Sequence, residues 1–348
     1  MPLYLSALSA IRCGVSRPES QACIRESRMG EYAIRRILLF IPTLLLATVL
    51  VFTLFWIVPG DPALTILAGG EGDSGSVSPE QLQQLRRELG LDRPMYVQYA
   101  SWLWNVLRGD LGTSLWYKTP VWDQLQDRFL VSMELAVMAI LLAFCVAVPL
   151  GVISAVKQDT GFDYLSRIFS GIGIALPTFW LGILIVYALA TFFQWLPPLG
   201  YATLWDDPLL NLQQLIFPAL TLAFHDLAFT ARVTRSSMLE VMREDYLRTA
   251  RAKGLLETLV IGRHARKNAL LPVVTVSGYQ FARLLGGVII VESIFVVPGM
   301  GTLLIDSIVH RDFIVIQAVV LLIAAVVLSL NMVIDLLYGV PDTRIRSQ

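Results

Sequence analysis

Six long apolar segments dominate this sequence and restrict the folds that it can adopt. They run approximately over residues 37–58, 130–155, 168–193, 213–231, 269–293 and 314–338. A helix of about 20 mostly apolar residues is long enough to cross the hydrocarbon core of a bilayer. We therefore expect an all-α, polytopic membrane protein with six transmembrane helices. The fourth segment is the weakest candidate because it contains His225 and Asp226.

The composition agrees with residence in a membrane. Of the 348 residues, 55% are hydrophobic and only 16% are charged, whereas a soluble domain carries about 25% charged residues. A formal net charge of zero argues against a nucleic-acid partner, which usually requires a basic face. The three cysteines, Cys13, Cys23 and Cys145, form no metal-binding or disulfide pattern. We therefore predict no metal site and no cofactor in this chain.

The first 28 residues do not fit the pattern of the remainder. Their apolar patch at 3–11 is too short to span a bilayer, and no basic stretch precedes it as in a signal peptide. We expect residues 1–28 to be a disordered extension, or to precede a native start at Met29. Residues 29–348 are then the membrane domain.

The distribution of Lys and Arg predicts the orientation of the chain. With both termini in the cytoplasm, the cytoplasmic segments hold 19 of the 27 basic residues and the outer segments hold 7. Cytoplasmic loops of membrane proteins carry such an excess. Two loops are then too long to be simple connections: an outer loop after the first helix at 59–129, and an inner loop at 232–268.

The outer loop contains two predicted helices. Ser78 is a suitable N-cap, Pro79 suits the first turn and Gly90 can end a helix over 78–90. A second helix is predicted over Tyr96–Leu107, which is rich in tryptophan and tyrosine. These helices could form a cap that packs on the bundle, a docking surface for an external partner, or both.

The inner loop contains a short polar helix with signals at both ends. Glu244 and Asp245 suit the positive end of a helix, and basic residues towards Gly254 suit the negative end. Gly254 can adopt the left-handed conformation that closes a helix, and Glu244 can pair with Arg248 at i, i+4. Composition alone is equally compatible with a basic loop held at the anionic inner leaflet.

Polar residues within the spans are candidates for the translocation pathway, because such residues are costly there and often functional. The candidates are Arg283, Gln280, Asp226 and Glu292. Arg283 could contact a solute carboxylate, pair with Asp226 or Glu292, or extend towards the interface. Gln280 could line a cavity or form a hydrogen bond between helices. Glu292 could contact water or a helix end.

Ordered pieces of the sequence carry a resemblance to a known family. Three lie around the inner loop: Arg232-Val-Thr-Arg-Ser-Ser-Met-Leu-Glu-Val241, Glu244-Asp-Tyr-Leu-Arg-Thr-Ala-Arg-Ala-Lys-Gly-Leu255 and Asn268-Ala-Leu-Leu-Pro-Val-Val274. Others are Pro59-Gly-Asp-Pro62, Leu89-Gly-Leu-Asp-Arg-Pro94, Gly109-Asp-Leu-Gly112, Pro298-Gly-Met-Gly301 and Asp335-Leu-Leu-Tyr-Gly339. From residue 29 onwards the chain resembles the inner-membrane permeases of dipeptide, oligopeptide, glutathione and nickel ABC importers. Arg248-Thr249-Ala250 stands where the wider importer pattern has Glu-Ala-Ala, a variant similar to the peptide-type branch.

The resemblance implies a multi-pass permease subunit in the bacterial inner membrane that imports peptides or similar small solutes. It implies a homologous second permease, one or two cytoplasmic ATPase subunits that hold ATP and Mg, and an extracytoplasmic solute-binding protein. It also implies that the inner loop couples to the ATPase through Glu244, Asp245, Tyr246, Leu247, Arg248, Thr249, Ala250, Arg251, Ala252, Lys253 and Gly254.

The absence of catalytic motifs agrees with a transport subunit that is not itself an enzyme. No Gly-Lys pair of a Walker A motif occurs, and neither does His-Glu-x-x-His or Gly-x-Ser-x-Gly. The alternative is a secondary transporter of small solutes. Such proteins often contain inverted repeats, and no clear repeat is visible in this sequence.

Overall fold

The structure, a computed structural model, describes residues 36–53, 63, 78–88 and 92–339. Apart from an isolated bridge between Thr113 and Pro120, the regular structure of these residues is helical. Residues 1–28, Gly90 and the Pro59–Pro62 motif lie outside the described residues. The helices are α1 (Arg36–Thr53), α2 (Pro79–Glu88), α3 (Met95–Leu107), α4 (Val121–Val156), α5 (Gly161–Ala175), α6 (Thr178–Phe192), α7 (Pro208–Met242), α8 (Asp245–Ala252), α9 (Glu257–Phe295), α10 (Met300–Val309) and α11 (Phe313–Gly339).

The predicted class, an all-α polytopic membrane protein, is confirmed. In the described part of the chain, α1, α4, α7, α9 and α11 are long and apolar enough to cross a membrane. A sixth crossing results if α5 and α6 are counted as one span. The orientation of the termini remains a prediction.

The third predicted span, at 168–193, is wrong as a single helix. It consists of α5 and α6, which meet at an angle of 102°. Each has 15 residues and rises about 22 Å, less than the ~30 Å core of a bilayer. The bend lies at Pro177, and Leu176 before it is extended, with ψ 126°. Proline disfavours helical backbone in the residue that precedes it, so a sharp break interrupts the predicted helix.

Four of the other spans, α4, α7, α9 and α11, are longer than the apolar segments that predicted them. Helix α4 begins at Val121, α7 ends at Met242 and α9 begins at Glu257. Most of the predicted inner loop therefore consists of the ends of α7 and α9. Only residues 243–256, which include α8, connect these two helices.

Helices α4 and α7 form the centre of the bundle through small residues. Ala139 and Ala143 of α4 and Ala219 of α7 are buried in the largest apolar cluster. Near the end of α4, a Cβ atom on Gly151 would lie 2.6 Å from Cβ of Thr234. Small residues permit such close approach between membrane helices. The polar fourth segment is thus accommodated because α7 is largely enclosed by its neighbours, with 61% of its apolar window buried.

Both predicted helices between α1 and α4 are present. The Ser78 hydroxyl accepts a hydrogen bond from the Glu80 amide at 3.3 Å at the start of α2. Helix α3 packs on α1, where Tyr99 forms a 2.8 Å hydrogen bond with Thr48 and an edge-on contact with Phe52. This contact supports the prediction that the segment packs on the bundle.

Candidate functional site

The short helix predicted between α7 and α9 is present as α8. Glu244 precedes it in extended conformation, and its carbonyl accepts the amides of Leu247 and Arg248. The predicted Glu244–Arg248 ion pair is wrong: Arg248 Nη1 lies 3.3 Å from Asp245 Oδ1 instead. Because Glu244 lies outside the helix, its side chain does not follow the i, i+4 geometry. Both partners in the observed pair are largely exposed, so the pair contributes little stability.

Gly254 closes α8 as predicted. Its φ is +77°, its amide donates to the Arg251 carbonyl at 2.9 Å, and the Leu255 amide reaches the Ala250 carbonyl at 3.5 Å. This pair of bonds is the Schellman motif. A Cβ at Gly254 would meet no atom within 4 Å. The requirement for glycine therefore comes from the backbone conformation and not from lack of space.

One face of α8 is fixed to the ends of α7 and α9. Leu247 is fully buried, in a cluster with Met238 of α7 and Val260 of α9. The Tyr246 hydroxyl accepts a 2.8 Å hydrogen bond from Asn268. These contacts hold α8 rigidly against both spans.

Arg251 adds an ionic link between α8 and the start of α9. Its Nη2 and Nε donate to the two carboxylate oxygens of Glu257 at 2.9 and 3.1 Å. These hydrogen bonds raise the pKa of the Arg251 guanidinium above its ordinary value. The opposite face of α8, formed by Asp245, Arg248, Thr249 and Ala252, is exposed.

The start of α9 contains a feature that the sequence did not indicate. Residues Val260–Ala265 form a π-helical turn, and such turns inside helices are frequent at functional sites. Val260 and Ala265 are buried in the cluster around Leu247. The π-helical turn thus packs against α8. The basic residues beside the turn, including Arg263 and Lys267, are exposed.

A buried ion pair that the sequence analysis missed lies at the same end of the bundle. Asp163 of α5 is fully buried and accepts from Arg235 Nε and Nη2 of α7 at 2.6 and 2.8 Å. The Ser154 hydroxyl of α4 and the Asp159 amide also donate to it, at 2.6 and 3.1 Å. We call this set the Asp163 clamp. It joins three helices close to α8, and the only signal in the sequence was an acidic residue in the first turn of α5.

Two of the four pathway candidates meet inside the bundle. Arg283 Nη2 of α9 donates to Asp226 Oδ1 of α7 at 2.5 Å, and Arg283 Nη1 lies 3.4 Å from His225 Nε2. Both residues line a cavity of about 340 Å³. The α5–α6 break at Pro177 forms another wall of this cavity. The helical break thus creates space beside a charged pair.

Gln280 and Glu292 are placed differently. Gln280 is buried, accepts from the Thr230 hydroxyl at 2.8 Å and donates to the Asp226 carbonyl at 3.4 Å. It therefore forms the hydrogen bond between helices that was one of its two interpretations. Glu292 lies nine residues beyond Arg283 on α9, a rise of about 14 Å, and the structure does not bring it to the cavity.

Glu292 instead joins α9 to the start of α10. Its carboxylate accepts from the Ser132 hydroxyl at 2.5 Å and from the Gly301 amide at 2.7 Å. A Cβ at Gly299 would lie 2.2 Å from Glu292 Oε1, which explains a glycine in the Pro298–Gly301 motif. Among the described residues, no group of three or more His, Cys, Asp and Glu side chains could hold a metal ion.

The apolar spans define a helical membrane protein. Its charged cavity is a candidate solute path, and α8, which is held between α7 and α9, is an exposed candidate docking element. This is the architecture expected of a permease subunit. The chain belongs to the family of binding-protein-dependent transport system inner membrane components, whose family model matches residues 147–347. A second model, for the N-terminal part of such membrane components, matches residues 29–136.

Curated relatives match almost over their full length. The chain is 41% identical over 318 residues to a putative peptide transport system permease protein of Brucella abortus (strain 2308), with 91% of this chain and 99% of that protein covered. It is also 41% identical over 341 residues to the dipeptide transport system permease protein DppB of Escherichia coli (strain K12), with the same coverage. A solved amino acid ABC transporter is similar with a TM-score of 0.49 and 14% identity, over 62% of this chain and 93% of that one.

The family resemblance seen in the sequence is therefore confirmed. The protein is a multi-pass permease subunit of an ABC importer and resides in the inner membrane. The family implies a solute-binding protein and ATPase subunits as partners.

Proposed function

We propose that this permease imports peptides, that a separate ATPase docks on the exposed face of α8, and that this chain has no ATPase site of its own. The proposal rests on the way in which α8 packs against α7 and α9. One face is fixed by Leu247 and Tyr246. The opposite face, formed by Asp245, Arg248, Thr249 and Ala252, is exposed. The names of the peptide and dipeptide permeases at 41% identity support the choice of solute.

The coupling role of Glu244–Gly254 follows from rigidity. An element that is capped by a Schellman motif and buried through Leu247 moves with the ends of α7 and α9. A displacement imposed on α8 by a partner would pass into both spans as a rigid-body shift. The partner ATPases would supply ATP and Mg, and a homologous second permease would complete the translocation path. An extracytoplasmic binding protein would deliver the solute.

The proposed pathway within this chain passes the cavity at Arg283 and Asp226, with Gln280 fixing the helices beside it. Glu292 supports the path indirectly, because it fixes α10 against α9. ATP-driven closure of the ATPases would pull α8 and the corresponding helix of the second permease together and open the path outwards. Hydrolysis would then reset it.

The first test is affinity purification of the tagged protein in mild detergent, with mass spectrometry of the chains that co-purify. We expect a second permease and one or two P-loop ATPases. Ala252→Arg places a bulky charge on the exposed face of α8 while keeping a strong helix former. It should abolish recovery of the ATPase subunits.

Gln83→Arg is the matched control, because Gln83 is exposed on α2, far along the chain from α8. It should leave the complex intact. Recovery of the wild-type chain alone, or unchanged recovery of ATPase with Ala252→Arg, would contradict the proposed docking face.

A further inference from the structure

The cavity at the α5–α6 break has the size and the charge of a small-molecule site. Its volume of about 340 Å³ lies in the range of ~300–1,000 Å³ that is typical of ligand pockets. Its walls come from three elements: the break around Pro177, Asp226 of α7 and Arg283 of α9. An arginine inside a membrane bundle is costly, which makes a functional role the default hypothesis.

The ion pair in this cavity is asymmetric. Asp226 is fully buried, whereas 59% of the Arg283 side chain is exposed. One carboxylate oxygen, Asp226 Oδ1, is bound by Arg283, and the other, Oδ2, is buried without a hydrogen-bond partner. The carboxylate therefore orients the guanidinium from behind, and the guanidinium is the charge that the cavity presents to a solute.

The partial charges of the helix ends at the break do not reverse the positive charge that Arg283 gives the cavity. The C-terminal end of α5 and the N-terminal end of α6 carry opposite partial charges of about half an elementary charge, which cancel to a first approximation. No side chain caps the start of α6, so its first amides are available as further donors. Arg283 therefore sets the sign of the site, and its planar fork of donors suits a carboxylate.

We propose that this cavity binds the carboxylate of a short zwitterionic peptide, with Arg283 as the contacting residue and Asp226 as the positioning residue. The inference rests on the proposed function and deepens it, since it adds recognition of the solute by the permease itself. A peptide whose terminal carboxylate is converted to an amide lacks the charge that Arg283 would bind.

The test uses the intact permease–ATPase complex in nanodiscs of phosphatidylcholine, without the solute-binding protein. Binding of alanylalanine and of alanylalanine amide is measured by saturation-transfer NMR. We expect the acid to bind and the amide to bind about tenfold more weakly or not at all, because a charge-assisted hydrogen bond is lost. Arg283→Gln should remove the preference for the acid.

Arg36→Gln is the matched control, because it breaks another Arg–Asp pair between two helices, Arg36 of α1 with Asp335 of α11 at 2.9 Å, outside the cavity. It should leave the preference intact. Equal binding of acid and amide by the wild type, no binding of either, or an unchanged preference in Arg283→Gln would overturn the proposal.

A second pair of variants does not depend on the arginine. A side chain at Gly287, which lines the cavity, or at its neighbour Gly286 would meet no atom within 4 Å of its Cβ. Gly287→Leu should fill the cavity and abolish binding, and Gly286→Leu should not. Binding lost equally in both, or in neither, contradicts the site. A chain that recovers no ATPase would instead refute the proposed function before any peptide is added.

Discussion

At the scale of single residues, Gly254 and Arg283 show two different relations between sequence and role. Gly254 is required by its own backbone, at φ +77°, in open space. Arg283 depends on a distant partner, because Asp226, 57 residues away, fixes its position. The need for glycine at position 254 can be predicted from the local sequence. The Arg283–Asp226 pair was only one of several pairings that the sequence left open.

Gly254→Val should uncouple transport from ATP hydrolysis. A left-handed conformation costs a residue with a side chain about 1–2 kcal/mol, and a β-branched residue fits it worst. The Schellman closure and the rigid seat of α8 would then be lost. In proteoliposomes that contain the complete importer, we expect the ratio of peptide transported to ATP hydrolysed to fall several-fold.

Gly254→Asn is the control, since asparagine is accepted at such helix ends. It should retain most of the coupling. Unaltered uptake by Gly254→Val would show that closure of α8 is not required.

The sequence predicted local residue features well and contacts between distant residues poorly. The cap at Ser78, the glycine closure of α8 and the Tyr96–Leu107 helix follow from local signals, and the structure contains all three. The Asp163–Arg235 pair joins residues 72 positions apart. No periodicity or spacing marks such a pair, so only the packed fold reveals it.

At the scale of elements, hydropathy identified the candidate spans of the described residues but not the course of the backbone within them. Residues 168–193 are apolar throughout, and their average gives no sign of the 102° bend at Pro177. The apolar segments also end where polar residues begin, whereas helices α7 and α9 continue through polar residues towards α8. Hydrogen bonding along the backbone, and not apolarity, determines those ends.

The Asp163 clamp predicts how the elements at this end depend on one another. Asp163→Asn or Arg235→Gln leaves a partner of a buried ion pair unmatched, which typically costs about 3–5 kcal/mol. The double variant should be destabilised by less than the sum of the two, because the second change removes the group that the first left unpaired. The measurement is thermal unfolding of the purified complex, arranged as a double-mutant cycle.

Arg167→Gln provides the control for the clamp. Arg167 Nε lies 3.8 Å from the same carboxylate, and 43% of its side chain is exposed, so its loss should cost less than about 1 kcal/mol. Strict additivity of the Asp163 and Arg235 variants would mean that the two side chains do not stabilise the fold as a pair.

At the scale of the whole molecule, the exposed surfaces indicate a subunit of a larger assembly. Helix α1 exposes Leu38, Leu46 and Leu50 by 58–62%, as expected for contact with lipid or another membrane chain. The face of α8 that points away from α7 and α9 is polar and exposed. Single-chain hydropathy cannot distinguish lipid contact from subunit contact, because both surfaces are apolar. The family, and not the hydropathy, implies ATPase subunits and a solute-binding protein as neighbours of this chain.

The orientation of the whole molecule gives the last prediction. The excess of Lys and Arg predicts that both termini, and with them the α4–α5 turn and α8, lie in the cytoplasm. In a background with Cys13, Cys23 and Cys145 replaced by serine, single cysteines are introduced as Gln83→Cys on α2 and Gln158→Cys in the α4–α5 turn. Both native side chains are exposed, and neither lies on α8, where an ATPase would shield the label.

A membrane-impermeant maleimide added to intact spheroplasts should label the cysteine at position 83, and the one at 158 should react only after permeabilisation. The two sites control for each other, since each must react fully once both sides are accessible. The reverse pattern would place α8 on the outer side, where no ATP is available, and would remove the physical basis for coupling through residues 244–254. The expected pattern makes α8 accessible to a cytoplasmic ATPase and the α2–α3 cap accessible to a binding protein, as import requires.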